Sequence, residues 1–225
     1  MEFKWPVKGK KLFIDSGNLS EFSHFGWGDT ETQFLGYMEG YKVAADTLID
    51  TAINLGTPKD LDILIFPTCF LYRQYLELVM KTILIFYSGH DRKVASDNVK
   101  KVQHDLLKTW NVIEEYMLEE ASDDEKASIH ISKGYIAQFH AIDKSSFTFR
   151  YPVDKDLNGV LRKYQNVNLI NLKECMHEIY CFFSGVMGKL DQIKEWKADM
   201  KSYYEDYSEY YEDMSDYYDI PTDEW

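Results

Sequence analysis

Apolar residues return at three- and four-residue steps along most of this chain, a pattern that predicts a set of long amphipathic helices. The first covers 32–55, where Phe34, Leu35, Met38, Tyr41, Ala45, Leu48, Ile49, Ala52 and Ile53 share a face. Asp29 and Thr30 can cap its start, and Gly56-Thr57-Pro58 stops it. A second helix spans roughly 60–87, with Pro67 bending it and Ser88-Gly89-His90 ending it. A third, near 97–120, carries Val102, Leu106, Leu107, Trp110 and Ile113. Ser122-Asp123-Asp124-Glu125 is the start signature of a short fourth helix ending near Phe139. The last helix begins after Asn171, with Met176, Ile179, Phe182, Phe183, Val186, Leu190 and Ile193 inward, and is expected to continue until Pro221.

Two stretches depart from that period. The first thirty residues are aromatic and glycine-rich (FSHFGWGDTE) and read as an irregular segment packed onto the body. The stretch 146–152 (SFTFRYP) alternates and is rich in β-formers, and 160–169 can answer it across 154–159 as a small hairpin. The expected fold is therefore mainly α: an antiparallel helical bundle of about five main helices with a small β-hairpin insert. Three regions follow: an irregular segment over 1–31, a helical domain over 32–197 and a tail over 198–225.

The second helix holds the most informative exception to the apolar pattern. Arg73, Glu77 and Lys81 stand four residues apart on an otherwise greasy segment, so they form one charged stripe. Charges enter such a helix only with partners, because desolvation is costly unless they are paired and hydrogen-bonded. The stripe is either a local ion-pair ladder or the floor of a polar site. The same three charges interrupt the only long apolar run, so no membrane span is expected. With no apolar leader and cleavage site visible, the expectation is a cytoplasmic protein.

Charge sharpens the picture at the C-terminal end. Of a net −13, the stretch 198–225 holds ten Asp or Glu and one Lys, a net of −9. The remainder is nearly balanced, and four arginines in the whole chain argue against extensive reading of duplex nucleic acid. Tyrosine pairs recur every seven residues in that tail, at Tyr203 and Tyr204, Tyr210 and Tyr211, and Tyr217 and Tyr218. On a helix they make one aromatic seam with acidic flanks. Such a seam can pack against the body or a second copy, or present acid and tyrosine anchors to a basic partner. Cys69, Cys175 and Cys181 lie in apolar helical patterns without a CxxC pair and read as three buried, reduced thiols. No metal or other cofactor is expected.

The residues FLYRQYLELVMKTIL (70–84) and VQHDLLKTW (102–110) resemble the HEPN superfamily, the higher eukaryote and prokaryote nucleotide-binding helical domains. Its members often show an Arg, then Leu-Glu and a Lys on one long helix, with His-Asp-Leu opening the next. SSFTFRYPVDKDLNG (145–159) looks like an insert of bacterial relatives, and the resemblance extends over about 60–190. It implies a HEPN-like domain over 32–197, a homodimer, and a role in phage defence or toxin–antitoxin biology through protein or RNA binding. Many such proteins are ribonucleases whose Arg is followed, after four to six residues, by a His. Here the first His after Arg73 is His90, after Arg92 it is His104, and after Arg150 and Arg162 it is His177. The usual motif is absent, so the leading expectation is a non-catalytic or divergent member.

Two alternatives stand beside it. A divergent metal-independent ribonuclease would use His104 as base and Arg73 to stabilise a pentacovalent phosphate, if the two helices bring them together. The bland alternative has His104 and Asp105 capping a helix start or joining the Arg73–Glu77 ladder. An acidic inhibitor mimicking nucleic acid would instead work through the tail. The candidate ligand- or RNA-binding residues are Arg73, Glu77, Lys81, His104, Asp105 and Arg150, the last either gripping phosphate or pairing with the second helix.

Overall fold

The computed structural model describes residues 3–119, 121–161 and 166–218, with side chains up to 208. Six α-helices are present among them: α1 (Thr30–Leu55), α2 (Pro58–Thr82), α3 (Arg92–Val102), α4 (Leu106–Glu119), α5 (Asp123–Ile142) and α6 (Leu169–Tyr218). Local chemistry sets most of their ends. The Asp29 carboxylate accepts the Thr32 N–H at 2.8 Å to open α1, and Gly56, at φ +65°, closes it in the left-handed region. Thr57 caps α2 with Pro58 in its first turn. Ser122 and Glu125 form a reciprocal capping box on α5.

Helix α1 runs antiparallel to both α2 and α6. Against α2, the Tyr72 hydroxyl donates to Asp46 at 2.6 Å, Thr82 Oγ1 to Met38 Sδ at 3.2 Å, and Phe34 meets Phe86 edge-on at 5.5 Å. Against α6, Lys173 pairs with Asp50 at 2.5 Å, Lys42 lies 5.1 Å over the Tyr180 ring, and Lys194 reaches Glu31 at 3.8 Å. Helix α5 is likewise antiparallel to α6, through Tyr135–Glu178 and Lys189–Glu125. Between these helices Ile49, Leu76, Val79, Met80, Ile83, Leu84, Leu106, Trp110, Ile113 and Phe183 are fully buried. Each contributes roughly 1.5–3 kcal/mol of apolar burial, and Trp110 also stacks on Phe182 with ring centroids 6.2 Å apart.

Helix α2 continues into a π-helical turn, Ile83–Tyr87. By length and composition Pro58–Tyr87 could cross a membrane. Half of its apolar window is buried in the bundle, and Arg73 and Glu77 are buried with it, as in a core helix.

Three expectations change. The third helix is two, α3 and α4, because Gln103 takes φ +51° and Asp105 caps a new start. The β-hairpin is not formed among the described residues. Instead the Asp143 carboxylate accepts the N–H groups of Phe147 and Thr148, winding 147–151 into a turn. The reversal at 154–159 does occur, held by the Asp154 carboxylate on the Asp156 and Asn158 N–H groups and by an isolated antiparallel bridge, Val153–Gly159; residues 162–165 of the expected answering strand lie outside the described set. Finally, the N-terminal segment is irregular but not packed down. Phe3, Trp5, Leu12, Phe13 and Phe25 are largely exposed. Trp27 leans onto α1, at Gly36, where an added Cβ would come within 2.7 Å of its ring.

Candidate functional site: a buried arginine and an exposed histidine

The charged stripe of α2 is built into a closed network. Arg73 is wholly buried and Glu77 is 4% exposed. The guanidinium donates from Nη1 to Glu77 Oε2 at 2.9 Å, from Nη2 to the His104 carbonyl, and from Nε to the Asp143 carbonyl at 3.4 Å. It thus ties α2 to the α3–α4 joint and to the end of α5. The other Glu77 oxygen accepts Lys81 Nζ at 2.6 Å and lies 2.8 Å from His104 Nδ1.

The break at Gln103 explains why this geometry is possible. In a continuous helix the His104 carbonyl would accept the Lys108 N–H. Here the Lys108 N–H goes to the Asp105 side chain at 2.9 Å, and the freed carbonyl receives Arg73. Asp105 therefore caps α4, and its carboxylate also lies 3.5 Å from His140 Nδ1.

Burial alone would raise the Glu77 carboxyl, but the hydrogen bond and charge of Lys81, the His104 bond and the Arg73 charge outweigh it. Glu77 is held below its usual value. An ionised Glu77 can only accept, so His104 donates to it from Nδ1, and Nε2 is the ring nitrogen that Glu77 leaves unengaged. The His104 side chain is 61% exposed. Chemically, this is an exposed histidine held in orientation by a buried carboxylate. The arginine that should accompany it in phosphate chemistry faces inward and is inaccessible.

The remaining candidates separate. Arg150 is exposed and donates to the Ser146 carbonyl in its own turn, so it does not pair with α2; Gln74 makes that link, to Ser146 Oγ at 2.8 Å. Tyr203 and Tyr204 are 60% and 63% exposed, so the seam does not pack on the body at this level. Tyr210, Tyr211, Tyr217 and Tyr218 lie on the α6 backbone, with side chains outside the described set, as is Pro221.

Sequence reasoning missed Asp143. It is 1% exposed, one oxygen holds two backbone N–H groups, and the other has no hydrogen-bond partner. Nothing in its helical surroundings marks it. It also missed the Lys42–Asp46–Tyr72 chain linking α1 to α2, of which the four-residue spacing of Lys42 and Asp46 was the one visible sign. Of the three cysteines expected to be buried only Cys69 is, its thiol pushed up to about 12 by burial, while Cys175 is half-buried and Cys181 exposed because they lie off the inward face of α6. A cleft of about 280 Å³ between α4, α5 and α6, lined by Met117, Ile129, Phe182, Val186 and Leu190, was not anticipated either. Among the described residues no three His, Cys, Asp or Glu side chains gather as a metal site.

No family model, curated protein or solved structure matches the chain.

Proposed function

We propose that this is a non-catalytic, HEPN-like bacterial protein that works by binding a macromolecular partner, in defence or toxin–antitoxin biology. The observation that carries the reading is the complete burial of Arg73. A group that must meet a phosphate cannot sit at zero exposure with its donors on Glu77 and two backbone carbonyls. The network acts as a structural tie, and breaking such a buried pair leaves an uncompensated charge. The exposed chemistry lies elsewhere, in the aromatic N-terminal segment and the acidic helix that leaves the bundle. A net charge of −13 favours a protein partner over RNA.

One observation favours a second reading. His104 is exposed and oriented by Glu77, which suits a general base in a divergent ribonuclease. The test incubates the full chain with labelled cellular RNA beside His104→Ala, with thermal melts confirming that both are folded. The expected result is no cleavage by either. Cleavage by the parent that disappears in a folded His104→Ala variant overturns the binding reading and makes the protein a nuclease.

A further inference from the structure

Helix α6 is 50 residues long, and only its first half lies in the bundle. At Lys194 it passes the start of α1, where Glu31 pairs with the lysine at 3.8 Å and the Tyr87 ring lies 5.4 Å beneath it. From that point residues 194–208 are exposed except Met200, which is half-buried. Trp196, Met200, Tyr203 and Tyr207 fall at steps of four, three and four, one stripe on one face. Trp196 is 62% exposed, and the Tyr203 and Tyr207 rings stack at 6.1 Å. Over 198–218 the sequence carries seven acids and one lysine.

The N-terminal arm leaves the bundle at the same end, since it precedes α1. Residues 3–14 carry Lys4, Lys8, Lys10 and Lys11 and no acid. Between the lysines stand Phe3, Trp5, Val7, Leu12, Phe13 and Ile14, each 60–95% exposed. Pro6 and a turn at Val7–Lys10 keep this segment from forming a helix. The molecule therefore holds two exposed surfaces of opposite charge, each interleaved with large apolar side chains. Exposed apolar patches of this kind mark interaction sites.

We infer that the arm of a second copy of this chain docks along the α6 extension, the two copies exchanging arms. The exchange covers both surfaces of both molecules with one two-fold contact, as an isologous dimer requires. The lengths agree. With its Val7–Lys10 turn opened the twelve-residue arm reaches about 40 Å, and 21 helical residues span about 32 Å, so one arm can follow one extension. Without the arms two extensions of this charge repel, so the lysines specify what the aromatic stripe accepts. In the single chain the arm's large side chains stay exposed, which leaves them free to dock on a second copy. The inference deepens the reading of the protein as a contact-making module and fails separately from it, because it is tested by mass rather than by RNA cleavage.

The test is sedimentation equilibrium of the full chain with two charge-reversed variants. One has Lys4, Lys8, Lys10 and Lys11 each changed to Glu. The other has Glu205, Asp206, Glu209 and Glu212 each changed to Lys. Circular dichroism melts establish that both are folded. The expected result is a parent dimer, dissociation constants raised at least tenfold for each variant alone, and recovery of the dimer when the two are mixed. A monomeric parent, including one whose tail binds a basic peptide or its own arm, overturns the inference. So does a dimer unmoved by either reversal, or a mixture that fails to associate.

Discussion

Two regions of this protein use the same residue types to opposite ends. Around Arg73 a cation, carboxylates and aromatic neighbours are drawn inward until every charge meets a partner. At the other region, where the arm and α6 leave the bundle, lysines, acids and aromatic rings stand outward and apart. The difference lies in what surrounds them. On α2 most flanking residues are apolar, so Arg73 and Glu77 are buried and must pair. On the α6 extension acids flank a narrow aromatic stripe, and Trp196, Tyr203 and Tyr207 stay outward. Charge among apolar neighbours becomes architecture, while apolar side chains among charges become a contact surface.

The sharpest way to break this contrast is to open the inner region. Arg73→Met strands Glu77 and the His104 carbonyl, and should lower unfolding free energy by about 3–5 kcal/mol in urea melts. Adding Glu77→Leu to that variant should recover a good part of the loss, because apolar replacement of a buried pair is often tolerated. A near-zero effect of Arg73→Met alone would remove the network from the architecture.

Protons probe the same ladder more gently. Because Glu77 is held below the 4.5 of the free group, the unfolded chain takes up its proton first as pH falls. Its contribution is full above about 4.5 and is lost as pH drops through the folded value. Urea midpoints of the parent should therefore fall more steeply below pH 4.5 than those of Glu77→Gln. Equal slopes would show that Glu77 is not the linked group.

Smaller still is the joint between α3 and α4. Asp105→Ala removes the cap and should cost about 1 kcal/mol by the same melts. It also returns the Lys108 N–H to competition for the His104 carbonyl, so combining it with Arg73→Met should give less than the sum. At the outer region, Tyr203→Ser with Tyr204→Ser should change the stability of the dilute chain by less than about 0.5 kcal/mol. A larger loss would mean that the stripe serves the fold.

The same contrast decides what could be read from the sequence. Helix starts at Asp29 and Ser122 were legible because a cap is made by residues three apart. The stripe on α2 was legible because helical spacing alone places Arg73, Glu77 and Lys81 together. The break at Gln103 was not, since VKKVQHDLLKTW keeps a helical period throughout. What helps hold it open is Arg73, thirty-one positions away in the chain. The misread hairpin has a similar cause. SFTFRYP looks like a strand by composition, but the Asp143 carboxylate claims two of its N–H groups before any neighbour can pair with them. His104 was picked out for its ring, whereas its backbone oxygen is what Arg73 holds.

The unbroken length of α6 has a mechanical consequence. The clasp of Glu31 and Tyr87 on Lys194 lies near the midpoint of a rod about 75 Å long. Roughly 38 Å of it lies on the bundle side of that fulcrum and 36 Å beyond it. With arms so nearly equal, a stiff helix tilting about the clasp carries its far tip and the Leu169 end through comparable distances in opposite directions. Such a tilt is opposed along the packed half, where Met176, Ile179 and Phe183 are buried and Lys173 pairs with Asp50, so a sideways pull on the extension is borne by the bundle.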